Sequence, residues 1–129
     1  MPTSEERAKM YAEITEIKQR LSEISERIGI INNAIARHRD KISINRDDIA
    51  QCRSDAADYR RLAREAARRG DNNIWSDHLA NENAMKLQIE NEQRYEKINK
   101  YYKEKNDLLR EKSELYTRKD SLYVAMKGR

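Results

Sequence analysis

Residues 14–35 read ITEIKQRLSEISERIGIINNAI, and the apolar residues of that run, Ile14, Ile17, Leu21, Ile24, Ile28, Ile31 and Ile35, alternate steps of three and four. An α-helix turns once in about 3.6 residues, so such steps bring every one of them back to a single stripe. The same count continues without a slip from Met10 at one end to His38, Ile42, Asn45, Ile49, Cys52, Ala56, Tyr59, Ala63 and Ala66 at the other. A narrow stripe sustained over this length predicts a coiled-coil seam rather than a short amphipathic helix. Thr3 stands where its hydroxyl caps the free N–H groups, with Glu6 three residues on to complete a capping box. Arg68 and Arg69 suit the negative end of the helix dipole, and Gly70 accepts the left-handed conformation that ends a helix.

The only turn-like cluster between the ends is Gly70-Asp71-Asn72-Asn73. We therefore expect a first long helix over 3–69, a turn over 70–73 and a second long helix over 74–127, in a single elongated domain 1–129. On the second helix Tyr101-Tyr102, Leu108-Leu109, Leu115-Tyr116 and Leu122-Tyr123 recur every seven residues as pairs, with Lys105, Lys112 and Lys119 between them. Folding the halves about the turn sets Leu122 opposite Leu21, Leu115 opposite Ile28, Leu108 opposite Ile35 and Tyr101 opposite Ile42. The fold class predicted is all-α, a long antiparallel two-helix coiled-coil hairpin. One row of the second helix is left over, so the hairpin is expected to complete a helical bundle with a partner or a second copy.

Composition excludes much else. Of 129 residues 39% are charged and 37% hydrophobic, with no Phe, which is too little to fill a compact globular core. Disordered chains tend to carry one sign of charge, whereas 27 basic and 23 acidic residues here nearly cancel to +4, and Pro occurs once. The longest aliphatic stretch, Ile28 to Ile31, is far short of the roughly 20 residues that span a bilayer. Met1 to Lys9 is polar and has no apolar leader core. A lone Cys52 makes no internal disulfide, so a cytoplasmic location is expected, with signal-less export left open.

Three departures from an ideal seam draw attention. His38 and Asn45 are polar at consecutive seam positions, opposite Lys105 and Ile98 in the expected pairing; polar seam residues set register and partner number. Toward the turn the seam shrinks to Cys52, Ala56, Ala63 and Ala66, across which Trp75, Leu79, Met85, Leu87 and Ile89 are expected to pack. Trp75 and the second apolar row, Tyr95, Tyr102, Leu109, Tyr116 and Tyr123, are the candidate partner-binding residues.

Catalytic constellations are missing from the sequence. There is no Gly-rich phosphate loop, Gly-x-Ser-x-Gly, Cys-x-x-Cys or His-Glu-x-x-His. Cys52 and His38 lie two heptads apart on one helix, about 21 Å by helical rise. His78 and Glu82 are one turn apart, but two ligands do not make a metal site. No enzyme activity, cofactor or metal is expected. Arg53, Arg60, Arg64 and Arg68 lie near one stripe and could touch phosphates, which leaves nucleic acid as a less favoured partner, because acids are interspersed and no aromatic residue is interleaved to stack bases.

Trp75-Ser76-Asp77 after the Gly70-Asp71-Asn72-Asn73 turn, and Tyr116-Thr117-Arg118-Lys119-Asp120 on the last helix, carry a resemblance. The chain is similar to the small helical-hairpin proteins of type VII secretion, the WXG-type proteins and the helical partners of LXG-domain toxins. Asp77 stands where that family has Gly, and both helices are longer than in its smallest members. The resemblance implies a non-enzymatic partner or targeting factor docked along a secreted protein's helical domain, with Tyr116 and Asp120 displayed as part of an export signal. A generic coiled-coil scaffold or adaptor, including flagellar or type III secretion stalk-like proteins, is the alternative on the same outline.

Overall fold

The computed structural model describes residues 2–70 and 77–128. It is an all-α helical hairpin of α1 (Ser4–Arg68) and α2 (His78–Met126), with no strand among the described residues. At the start of α1 the Glu6 N–H donates to Thr3 Oγ1 at 3.1 Å. At its end Gly70 takes φ 71° and its N–H donates to the Ala67 carbonyl at 3.1 Å, so the left-handed residue sits where expected. Helix α2 spans His78–Met126, and the expected start at 74–76 lies outside the described residues. Asp77 accepts the first helical bond, from the Asn81 N–H at 3.0 Å, and places its carboxylate at the positive end of the dipole. Of the expected turn and partner contacts, Asp71, Asn72, Asn73 and Trp75 lie outside the described residues.

Two compact units are distinguished, Met1–Ile35 with Lys100–Arg129, and Ala36–Asn99. In the first, Ile14, Ile17, Leu21 and Leu122 form a buried cluster against which Met10, Leu115 and Met126 pack. Along one flank three arginines grip carboxylates with both branches: Arg20 on Glu111 at 2.8 and 2.9 Å, Arg27 on Glu104 at 2.7 and 2.9 Å, and Arg118 on Glu13 at 2.8 and 3.1 Å. Each partner stands one residue before a seam position of its own helix. The layers that follow set Ile14 opposite Leu122, Leu21 opposite Leu115, Ile28 opposite Leu108 and Ile35 opposite Tyr101. In the alternate layers Ile17, Ile24 and Ile31 face Lys119, Lys112 and Lys105. Ile24 and Ile31 are nonetheless fully buried. The three lysines are half-buried, as suits a side chain whose alkyl stem can cover apolar surface while its charge stays solvated.

This pairing corrects the expected one by a full heptad. A slip of seven residues returns every seam residue to the seam, so hydrophobic periodicity cannot see it; the flanking charges can. The expected pairing would bring Arg20 against Arg118 and leave Glu13 against Ala125. A slip the other way would set Arg27 against Lys97 and Glu13 against Glu111. Three bidentate pairs form only in the observed register.

The second unit is displaced from expectation in the same sense. Asn45 faces Asn91 rather than Ile98, and His38 meets Arg94 rather than Lys105. Near the turn the bulky residues do not cover the small ones. Leu79, Met85 and Ile89 are exposed, Leu87 is half-buried, and Ala80 and Ala84 are buried along with Ala56. The heptad phase of α2 runs through Ala80, Ala84, Leu87 and Asn91, which places small residues against small and turns Leu79, Met85 and Ile89 outward.

Candidate functional site

The double row of α2 resolves into two rows with different environments. Tyr101, Leu108, Leu115 and Leu122 occupy the seam, with Leu122 buried and the others half-buried. The residues one position on, Tyr102, Leu109, Tyr116 and Tyr123, line the flank opposite the arginine–glutamate pairs. Tyr102 is half-buried, while Leu109 and Tyr116 are each 43% exposed and Tyr123 is 36% exposed. On α1 the residues at the matching levels are Lys18, Ser25 and Asn32, all exposed. One flank of this unit is thus closed by ion pairs and the other presents an aromatic and aliphatic ridge beside Lys18 and the smaller polar residues Ser25 and Asn32.

Electrostatics follow the same division. The guanidiniums of Arg118, Arg27 and Arg20, hydrogen-bonded to their partners, hold the carboxyls of Glu13, Glu104 and Glu111 below the usual carboxylate range. Each arginine in turn holds its proton more tightly. On the open flank the Lys119 ammonium lies 4.9 Å from the Tyr116 ring centroid. Asp120, exposed one turn after Tyr116, stands on this same flank.

The unit formed by residues 36–99 places the other candidates. Asn45 is buried and donates to Asn91 Oδ1 at 2.9 Å and to Glu90 Oε2 at 2.8 Å. Glu90 also accepts from Arg94 at 3.0 Å, and Arg94 reaches His38 Nδ1 at 3.1 Å. Hydrogen bonds from Arg94 and Asn45 hold the Glu90 carboxyl low. Burial, with the nearby charges of Arg94 and Lys97, pushes the His38 imidazole below its ordinary value. His38 and Asn45 were read from the sequence, but Glu90, Asn91 and Arg94 were not. The signal was present: Asn91 and Arg94 continue the α2 heptad back from Ile98.

Tyr95 is exposed and accepts a hydrogen bond from Arg46, whose guanidinium lies 5.9 Å from its ring centroid. Arg53, Arg60, Arg64 and Arg68 are exposed, and Arg60 stands 3.7 Å from the Asp77 carboxylate. Arg39, Arg46, Arg53 and Arg60 each follow a seam position and so share a row. Asp40, Asp47, Asp48, Asp55 and Asp58 occupy other rows of the helix.

Cys52 is a half-buried free thiol, and His78 lies 3.9 Å from Glu82. Among the described residues no three His, Cys, Asp or Glu side chains converge as metal ligands, and no helix is long and apolar enough to cross a membrane. No family model, curated protein or solved structure matches the chain.

Proposed function

We propose that the chain is a non-enzymatic helical interaction protein, and that it binds another helical protein along the flank bearing Tyr102, Leu109, Tyr116 and Tyr123. The observation that supports this reading is the asymmetry of the hairpin's two flanks. The flank with the three bidentate pairs has its charges satisfied, whereas the other leaves large apolar side chains in water at a heptad period. Such a row is what a further helix needs for knobs-into-holes packing. The resemblance to type VII secretion hairpins gives the reading its particular form: a cytoplasmic partner or targeting factor for an exported helical protein, with Tyr116 and Asp120 as an export signal.

Site-directed photo-crosslinking in the native cell tests the interaction. A photoreactive residue at Leu109 or Tyr116 is expected to give protein adducts, while one at Asp107 or Glu114, on the outer rows of α2, is expected to give none. Equal adducts at both sets, or none at either, refute the docking flank. For the export role, Tyr116→Ala with Asp120→Ala is expected to keep helicity and to abolish secretion; unaltered secretion removes the signal assignment.

One observation favours a second reading. The acids that interrupt the basic segment in sequence lie on rows other than that of Arg39, Arg46, Arg53 and Arg60, which makes this a candidate surface for a phosphate backbone. Filter retention of DNA or RNA at low salt, lost with Arg53→Ala and Arg60→Ala, supports it; no retention at low salt rejects it.

A further inference from the structure

In the unit formed by residues 1–35 and 100–129, we infer that the open flank binds a second copy of this chain, the Tyr–Leu ridge of α2 in each copy seated on the small-residue groove of α1 in the other. This names the partner for the protein-binding reading above and rests on it.

The face is self-complementary in shape. On α1 the row beside Lys18, Ser25 and Asn32 consists of Thr15, Ser22 and Gly29, so no bulky apolar group rises there. Gly29 is a poor helix former in the middle of a 65-residue helix, and a Cβ built on it meets nothing within 4 Å. Nothing within the hairpin therefore requires a glycine at this position; a close-packed neighbour would. Ridge and groove lie side by side with one seven-residue period. A two-fold axis running along the helices lays ridge on groove twice over, whereas an axis crossing them lays ridge on ridge. Either axis makes all adjacent helices of the resulting four-helix bundle antiparallel, so the seating of ridge on groove is what selects the first.

The charges match the same axis. Lys18 is the one base of the α1 half of this face, and Asp120 is the one acid of the α2 half; no ion pair joins them within the chain. The axis brings Lys18 of each copy to the level of Asp120 of the other. At the rim Glu26 comes to the level of Arg110 in the same way. From Tyr102 to Tyr123 the face is about 32 Å long and, over two helices, about 20 Å wide. That is about 600 Å² per copy and about 1,200 Å² in all, at the lower edge of specific interfaces, so a micromolar dimer is expected.

Sedimentation velocity and light scattering of the full chain from about 1 to about 100 µM decide the matter. Twice the 15.3 kDa chain mass is expected at the upper end. Leu109→Glu and, separately, Gly29→Gln should each weaken self-association at least about tenfold with helicity kept. Gly29→Gln should also raise the melting temperature of the dilute monomer, because glutamine is the better helix former. Lys18→Asp alone should weaken the dimer, and Lys18→Asp with Asp120→Lys should restore it. A mass of 15.3 kDa throughout, or a dimer indifferent to these substitutions, overturns the inference. A monomer that still crosslinks from Leu109 to a different protein overturns the second copy alone; a monomer without adducts overturns the interaction reading as well.

Discussion

Replacing the buried asparagine pair by aliphatic residues should expose what it costs the hairpin. Asn45 and Asn91 are 3% and 7% exposed and share a 2.9 Å hydrogen bond. Asn45→Ile alone gains about 1.5–3 kcal/mol from apolar burial. It also strands the Asn91 amide oxygen in the seam, at about 1–3 kcal/mol. The two effects nearly cancel, and Asn91→Leu alone behaves alike. The double variant strands neither amide. Two apolar gains less the two hydrogen bonds that Asn45 makes, to Asn91 and to Glu90, at about 1 kcal/mol each leave it more stable than the parent by about 1–4 kcal/mol. The excess over the sum of the singles is the coupling between the two sites. Guanidinium unfolding followed by helical circular dichroism measures it, with dilute protein to keep self-association out of the transition. Singles that add to the double within about 0.5 kcal/mol would refute the reasoning, since the two amides would then not depend on one another.

Reversing the α2 charges with Glu104→Arg, Glu111→Arg and Arg118→Glu should lower the unfolding midpoint and reduce disulfide formation between Ile28→Cys and Leu108→Cys in a Cys52→Ser background; reversing Glu13, Arg20 and Arg27 as well should restore both. Acid should weaken the same pairs. Folded-state carboxyls held below their ordinary 4.5 contribute stability that is present above that value and lost as pH falls through the lower folded value, an effect Glu111→Gln should reduce in a pH series of unfolding midpoints. His38 acts at higher pH. Its folded form resists protonation while the unfolded chain takes up a proton below about 6.5, so stability holds above that pH and declines below it. His38→Leu should flatten the decline between about pH 6.5 and 5.

Much of the fold was legible because it is written as periodicity. Thr3 before Glu6, Gly70 after Arg69, and the unbroken three-and-four spacing from Met10 to Ala66 depend on local backbone geometry and on which side of a helix a residue falls. The division of the paired residues of α2 into a seam row and a flank row was legible for the same reason. Helix phase, not residue size, decides what covers Ala56: Leu79, Met85 and Ile89 are large but lie off the α2 heptad.

Which stripe of each helix is buried and where the helices are capped can be read along the chain, since both follow from a few neighbouring residues. Which heptad faces which is settled across the hairpin and not along it. Apolar burial is almost unchanged by a seven-residue slip, so the choice passes to groups that meet only across the hairpin: Arg20, Arg27 and Arg118 on their glutamates, and Asn45 on Asn91. Their partners are 46 to 105 residues away, and directional hydrogen bonds distinguish one register from the next where the hydrophobic effect does not.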